Sequence, residues 1–351
     1  MTALRAKLRE VLFAAELGRG AASVSVAPRA GAEPESLWVP ETAQEPAFLA
    51  YSITKTFTAS LVLVLCEAKR LDLEDSLERW FPRIAHADRI SLRRLLNHTA
   101  GIPDYGGLRA YHDDLRASPE TPWTSERFAS ETFEKGLDFE PGNGWAYSNA
   151  GYMLLKRILE AVSGRSFREL VAERIARPLG LHRSFVPESI PDLDVLAPGT
   201  SCALSRDGSP RDVRAHYHPG WVSHGVVAST ASDIVRFLDA LFRGQMLSRP
   251  SLDEMMTLVR VPVEPDSRAA ATSSPLRMTT PSYGLGLMGD PASAWGVIVG
   301  HNGGGPCYSA SAFHAVDLGG ATVCAMGAIE NDFSSEKIVA AALDLLSASS
   351  S

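Results

Sequence analysis

The sequence is poor in cysteine and in lysine. Its 351 residues include four cysteines, and these form no C-x-x-C pair and no Cys/His cluster with the spacing of a zinc site. Six lysines stand against 28 arginines, and we find no block of five or more basic residues. Together with a formal net charge of −7, this argues against a nucleic-acid scaffold and a binder of anionic membranes. Small molecules or other proteins remain as partners.

Long apolar runs are also absent. The longest strongly apolar stretch, LVLVLC at residues 61–66, is far too short to span a bilayer. The first twenty residues lack the uninterrupted apolar core of a signal peptide, because charged residues interrupt them. Instead, Leu4, Leu8, Val11 and Leu12 share one face of a predicted helix. We therefore expect a cytoplasmic protein with free thiols and no membrane segment.

Strand patterns occupy the two ends of the chain, and helix patterns the middle. The segments AASVSVA, ESLWVP, YGLGLM, AWGVIVG, CYSASAFHAV and ATVCAMGAI predict an antiparallel sheet, and a final helix is predicted from about Ser334. We predict an α/β lobe formed by residues 1–75 and 222–351 and an inserted all-α lobe formed by residues 76–221, with the active site between them. The Pro/Ser/Ala-rich residues 262–282 predict a long surface loop or a lid.

An S-x-x-K pattern opens the apolar segment AYSITKTFTASLVLVL. Ser52 and Lys55 are one helical turn apart, so the amine can reach the hydroxyl. A serine becomes a good nucleophile when a neighbouring base takes its proton, and burial can lower the pKa of a lysine enough to serve. At a helix start, the N–H of Ser52 could also stabilise an oxyanion. The alternative is a capping serine beside a solvated lysine, which we expect for the second S-x-x-K, Ser334 and Lys337.

Two further motifs place polar groups at predicted element ends. Tyr147 and Asn149 precede a strong helix, where they could relay a proton and hold a polar substrate edge, or simply form a helix-entry turn. In VIVGHNGGGPCYSA, His301 ends an apolar strand. Gly303 and Gly304 would let a ligand approach that strand closely, and the N–H of Gly304 is a candidate oxyanion donor. The alternative is a Gly-rich hairpin with an exposed histidine.

The three motifs in this order resemble those of the serine β-lactamase and penicillin-binding-protein superfamily. The resemblance is strongest to its class C-like branch, with the D-alanyl-D-alanine peptidases and the family VIII esterases. It covers roughly residues 45–320 and extends to the stretches ISLRRLLNHTAGIPDY, FEPGNGWAYSNAGYMLLKRILEAVSG, IARPLGL and GVVASTASDIVRFLDAL. The combination is specific, whereas each motif alone is not. A two-lobe β-lactamase-like fold, α/β plus all-α, is the expectation.

This resemblance assigns roles to the motif residues. It implies that Ser52 is the acylated nucleophile and Lys55 its activating partner. It also implies that Tyr147 shuttles a proton and that Asn149 contacts the amide of the substrate. His301 takes the position where many relatives carry lysine, which weakens the permanent positive charge that helps to hold a β-lactam carboxylate.

The loop AHYHPGWVSHG is placed by the resemblance beside the site. Tyr217 and Trp221 could stack on an organic acceptor, while His216 or His218 accepts its proton. A metal site that also includes His224 is less favoured, because no carboxylate or cysteine stands at ligand spacing.

These observations predict a serine hydrolase that cleaves a small-molecule ester or amide through an acyl-Ser52 intermediate, with no cofactor and no metal. With an amine or alcohol as acceptor instead of water, the protein would be an acyltransferase. A D-stereospecific peptidase and a non-catalytic binding protein on the same fold are further alternatives. The sequence does not determine the oligomeric state.

Overall fold

An antiparallel sheet forms the centre of the computed structural model, which describes residues 3–13, 20–134, 136–262, 275–330 and 334–350. The strands are β1 (Ala21–Ala27), β2 (Glu35–Val39), β3 (Phe48–Leu49), β4 (Thr200–Ser201), β5 (Arg211–Asp212), β6 (Ala228–Ser229), β7 (Val259–Arg260), β8 (Ser282–Tyr283), β9 (Met288–Ser293), β10 (Gly296–Gly304), β11 (Tyr308–Ala315) and β12 (Ala321–Ala328). The main sheet has the order β2-β1-β12-β11-β10-β9-β8-β7, with every neighbouring pair antiparallel. β3 pairs with β6 and β4 with β5.

Helices cover both faces of this sheet. They are α1 (Ala3–Phe13), α2 (Thr54–Glu67), α3 (Leu92–Leu96), α4 (Arg109–Ala117), α5 (Ser125–Phe133), α6 (Asn149–Ser163), α7 (Phe167–Val171), α8 (Val213–His216), α9 (Ala231–Phe242), α10 (Arg249–Met255) and α11 (Ser335–Ser350). The terminal helices α1 and α11 pack on one face, where Leu8, Leu12, Val339 and Leu343 meet alternate residues of the strands. On the other face α9 contacts β1, β11 and β12, and the core continues from there to α2 and α6.

The helix α2 lies deep in this core, as its apolar sequence requires. Most of its side chains are buried, and it packs against α6 and α10. Ser148 caps α6 by accepting a hydrogen bond of 3.0 Å from the Gly151 N–H. Because α2 carries Lys55 and α6 begins at Asn149, the packing of these two helices sets the distance between the first two sequence motifs.

The fold class is the one that the sequence predicts, with differences in detail. The segment YGLGLM does not form one strand, because residues 284–287 turn between β8 and β9 and Gly286 has a φ of +70°. The last helix starts at Ser335, and Ser334 caps it by accepting from the Lys337 N–H at 3.3 Å. Residues 263–274 of the predicted loop or lid lie outside the described residues.

The helices α3 to α8 all fall between residues 92 and 216, between the strands of the main sheet in sequence. A division into lobes 1–75 with 222–351 and 76–221 remains our proposal, since one continuous apolar cluster runs through both. In the part of the chain that the structure describes, no helix has the length and apolar character needed to cross a membrane.

Candidate active site

The nucleophile candidate Ser52 lies in a short 3-10 turn, Tyr51–Ile53, that leads directly into α2. Its Oγ is 3.2 Å from Lys55 Nζ and accepts a hydrogen bond of 2.8 Å from the Tyr147 hydroxyl. Lys55 is fully buried, whereas Ser52 is partly exposed. A reactant can therefore reach the serine while its amine partner stays away from solvent.

The hydrogen-bond partners of Lys55 determine where its lone pair points. Nζ is 2.7 Å from Asn149 Oδ1 and 3.1 Å from His224 Nε2. Burial lowers the pKa of Lys55 to about 7, although the Asp104 carboxylate acts in the opposite direction. Burial also holds the pKa of His224 well below its usual value, so this imidazole is neutral and its Nε2 can accept. With the His224 proton on Nδ1, a neutral amine that donates to Asn149 Oδ1 and His224 Nε2 turns its lone pair toward Ser52, as a general base requires.

Asp104 holds the amide of Asn149 in the orientation that Lys55 needs. The carboxylate accepts from the Asn149 backbone N–H at 2.8 Å and from its side-chain Nδ2 at 3.2 Å, which leaves Oδ1 facing Lys55. Both polar groups of the Asn149 side chain are thus engaged within the protein. The expected contact to a substrate amide stays a prediction, and the observed contacts give Asn149 a positioning role.

Sequence reasoning missed Asp104 and His224 as members of the site. Asp104 lies in the stretch ISLRRLLNHTAGIPDY, but no spacing rule connects a loop aspartate with a helix start 45 residues later. His224 shares a loop with His216 and His218, and a sequence does not show which imidazole of a loop turns inward. The one signal in the sequence is chemical: a lysine on an apolar, buried helix needs hydrogen-bond acceptors from other parts of the chain.

Tyr147 completes the polar cluster at Ser52. Burial raises the pKa of its hydroxyl, so Tyr147 remains a phenol at neutral pH and donates to the serine. Its ring lies 4.5 Å from that of His98, measured between centroids. His98 in turn accepts from the Ser148 N–H at 3.2 Å, which ties the loop before α6 to the core.

His301 is a buried neutral imidazole. Its Nδ1 is 2.5 Å from the Asn302 carbonyl oxygen, which can only accept, so this nitrogen carries the proton. Nε2 therefore accepts the 2.8 Å hydrogen bond from the Tyr283 hydroxyl. Burial lowers the pKa of His301 to about 3. The alternative of an exposed hairpin histidine is wrong, since the residue is 2% exposed.

The end of β10 packs against the backbone of the nucleophile turn. A Cβ on Gly303 would lie 2.1 Å from the Ala50 carbonyl oxygen and 3.2 Å from the Ser52 nitrogen, so glycine lets the strand touch the nucleophile turn. Gly305 donates to Tyr308 of β11 at 3.3 Å. Because N–H groups alternate in direction along a strand, that of Gly304 points away from β11. The N–H groups of Ser52 and Gly304 are thus the candidate oxyanion donors.

Two cavities meet at Ser52 and Gly304. The first, the polar cavity, has a volume of about 410 Å³, and its lining includes Tyr147, His301, Asn302, Ser309, Ser335 and Glu336. The second, the aromatic cavity, has a volume of about 330 Å³, and its lining includes Tyr51, Tyr105, Tyr111, Asn149, Tyr217 and Trp221. A substrate attacked by Ser52 can therefore place one part in each cavity.

The loop of residues 215–225 contributes less to the site than the sequence predicts. Tyr217 and Trp221 do line the aromatic cavity. His216 and His218 are not among the described residues that line either cavity. Instead, His216 Nδ1 is 2.9 Å from a carboxylate oxygen of Glu120, and His218 accepts from a backbone N–H within its own turn. A role for His216 or His218 as acceptor base stays a prediction, which these contacts do not support.

Comparisons with known proteins agree with this geometry. The family model described as Beta-lactamase matches residues 18–328. Penicillin-binding protein 4* of Bacillus subtilis is 30% identical over 76% of this chain and 57% of its own length, and lovastatin esterase of Penicillium rubens is 28% identical over 68% of this chain and 65% of its own. The chain spans about half the length of the first three curated relatives that it matches.

Solved structures share the fold. A D-stereospecific amidohydrolase from Streptomyces sp. superimposes with a TM-score of 0.79 and is 29% identical, with 95% of this chain and 97% of that chain covered.

Gly303→Ala is expected to slow the labelling of Ser52 by a fluorophosphonate at least about 100-fold. The new Cβ would lie 2.1 Å from the Ala50 oxygen, so β10 or the nucleophile turn must shift, and small displacements of reacting groups carry large rate penalties. Gly107→Ala is the matched control, because its Cβ would meet nothing within 4 Å. Intact-mass spectrometry over time measures both rates. Equal labelling of the two variants would contradict the role given to Gly303.

Proposed function

The chain belongs to the Beta-lactamase family, and from this membership we propose that it is a serine hydrolase that cleaves a small-molecule amide or ester through an acyl intermediate on Ser52. The observation that carries the proposal is the position of Ser52 Oγ, within 3.2 Å of a buried lysine amine and 2.8 Å of a tyrosine hydroxyl. A non-catalytic binding protein would have no use for a lysine held in this state.

The proposed reaction has two halves. Neutral Lys55 takes the proton of Ser52 as its Oγ attacks the carbonyl carbon, and the resulting oxyanion accepts from the N–H groups of Ser52 and Gly304. Collapse breaks the bond to the leaving group, which takes a proton from Tyr147, and Lys55 restores that proton through the hydrogen-bonded cluster. Water then attacks the acyl-serine and gives a proton to neutral Lys55. Collapse breaks the ester bond, and Ser52 Oγ takes that proton from Lys55 as the acid leaves.

The lining residues suggest which cavity takes which part of the substrate. Tyr147, the proton donor to the leaving group, lines the polar cavity, whereas Asn149 and His224 line the aromatic cavity. We place the leaving group in the polar cavity and the acyl group in the aromatic cavity. An apolar or aromatic acyl group fits the rings of Tyr105, Tyr111 and Trp221.

Hydrolysis is preferred over acyl transfer. The acceptor base expected at His216 or His218 lies outside both cavities, while water needs no dedicated site. Relatives support both substrate classes: one is named an esterase and another a D-stereospecific amidohydrolase. A first panel should therefore pair esters with D- and L-amides of the same acyl group.

Ser52→Ala and Lys55→Ala are each expected to lower turnover by several powers of ten, because nucleophile and base act as one unit. A fluorophosphonate should add its mass to Ser52, as peptide mapping would establish. Ser334→Ala is the matched control, since Ser334 belongs to the second S-x-x-K and caps α11. Undiminished turnover in Ser52→Ala, or labelling at Ser334, would refute the assignment.

The pH dependence of kcat/KM for a neutral ester should show an acidic limb. Activity rises as pH passes the pKa of Lys55, about 7, because the protonated amine cannot accept a proton. Asp104→Asn should move this limb to lower pH, since the carboxylate raises the pKa of Lys55. Glu78→Gln, which removes the same charge at an exposed position, should leave the limb in place. A flat profile between pH 5 and 9, or an upward shift in Asp104→Asn, contradicts the role of Lys55 as base.

Benzylpenicillin should be hydrolysed with a kcat/KM at least about 100-fold below that of p-nitrophenyl acetate. The neutral state of His301 leaves a β-lactam carboxylate without the charge-assisted hydrogen bond of a permanent cation. Both kcat/KM values are measured by spectrophotometry on one enzyme preparation. Titration with a fluorophosphonate determines its active fraction. Comparable kcat/KM values for the two substrates would show that His301 does not limit carboxylate recognition.

A further inference from the structure

The polar cavity, whose lining includes Ser52, contains a carboxylate. Among the residues that the structure describes, its lining contains one carboxylate, Glu336, and neither lysine nor arginine. His301 is neutral, and Lys55 lies buried behind Ser52, outside this lining. The neighbouring Lys337 is exposed and also outside the lining. An anionic group would therefore meet a like charge here, and a cationic group an opposite one.

A hydrogen-bond chain holds Glu336 at the open end of β10. Ser311 donates to Asn302 Oδ1 at 2.7 Å, which turns the Asn302 Nδ2 toward Glu336 Oε1, to which it donates. Glu336 also lies in the first turn of α11, where a helix stabilises negative charge. The hydrogen bond from Asn302 thus orients the Glu336 carboxylate relative to β10.

The carboxylate lies on the side of the leaving group. Asn302, its hydrogen-bond donor, is two residues from Gly304, or about 7 Å along the strand. Tyr147, which we assign to leaving-group protonation, lines the same cavity. A leaving group that extends from the attacked carbonyl along the open edge of β10 therefore approaches Glu336.

We propose that the polar cavity takes a leaving group that carries a positive charge, such as a substituted ammonium, and that Glu336 determines this preference. The inference rests on the proposed acyl-Ser52 chemistry and adds the charge of the substrate to it. It concerns selectivity alone, because Glu336 takes part in no proton transfer.

Three phenylacetate esters of matched shape test the proposal. Their alcohols are choline, the neutral 3,3-dimethylbutanol and the anionic 4-hydroxy-2,2-dimethylbutanoate. Each kcat/KM is divided by the rate constant for hydroxide-catalysed hydrolysis of the same ester, which removes differences in intrinsic reactivity. We expect the choline ester to be preferred over the neutral ester roughly tenfold at low salt, and the anionic ester to be disfavoured to a similar degree. The preference should shrink as ionic strength rises.

Glu336→Gln should bring the ratio of the choline ester to the neutral ester to within about twofold of one. The ratio of the two kcat/KM values does not depend on the amount of active enzyme in a preparation. Glu336→Ala serves as a second variant. Glu78→Gln makes the same change of charge at an exposed position outside the lining, and it should keep the wild-type ratio.

The outcomes separate this proposal from the one on which it rests. Hydrolysis of all three esters without a preference for the cation, or a preference that persists in both Glu336 variants, overturns the role of Glu336 and leaves the acyl-Ser52 chemistry standing. If no ester is hydrolysed and no acyl-enzyme forms, the proposed function fails and this inference fails with it.

Discussion

The arrangement of the site depends on one constraint, a lysine amine placed in the interior of the protein. Burial lowers the pKa of Lys55 from 10.5 to about 7, which corresponds to a penalty on the order of 5 kcal/mol for its charged form. Such a group persists in a core when its remaining polar atoms find partners. Asn149 and His224 provide those partners, Asp104 orients Asn149, and the fold must bring α2, α6 and two loops together for all of them. Much of the polar network near Ser52 can be understood as the accommodation of this amine.

The nucleophile also depends on close packing of backbone. The turn that carries Ser52 fits against β10 because Gly303 has no side chain, and this contact brings the Ser52 nitrogen to the end of β10 that also carries Gly304. The partners of the buried Lys55 amine and the close packing of the Ser52 backbone come from different parts of the fold. The helix α2 carries the proposed base Lys55, and the loop before α6 carries the proposed proton donor Tyr147. The candidate oxyanion donors come from the turn before α2 and from the end of β10. A hydrolase of this kind therefore needs the sheet and the helices in a fixed relation, which the continuous core through α2 and α6 provides.

The sequence predicts the parts of this arrangement that follow from periodicity or from short motifs. Ser52 and Lys55 are one turn apart, so their contact could be expected from the helix alone. The alternation of apolar residues predicts the strands, although Gly286 turns a predicted strand into a loop. The sequence does not predict the positions of Asp104, His224 and Glu336 in the site. Each is far from Ser52 in sequence, and its role depends on the direction in which its side chain points. His216 and His218 are the opposite case: the sequence predicts them in the site, but their side chains form hydrogen bonds elsewhere.

The charge of the polar cavity illustrates how a fixed catalytic centre can be directed to different substrates. The groups to which we assign proton transfer are Ser52, Lys55 and Tyr147. They have to keep their geometry, because an error of 1 Å in a reacting group carries a large penalty in rate. Residues farther along β10 and at the start of α11 face no such demand. In our proposal, a neutral imidazole at His301 and a carboxylate at Glu336 favour a positively charged leaving group, without moving the nucleophile. The preference for a substrate charge can therefore change through residues of the cavity wall, while the chemistry at Ser52 stays the same.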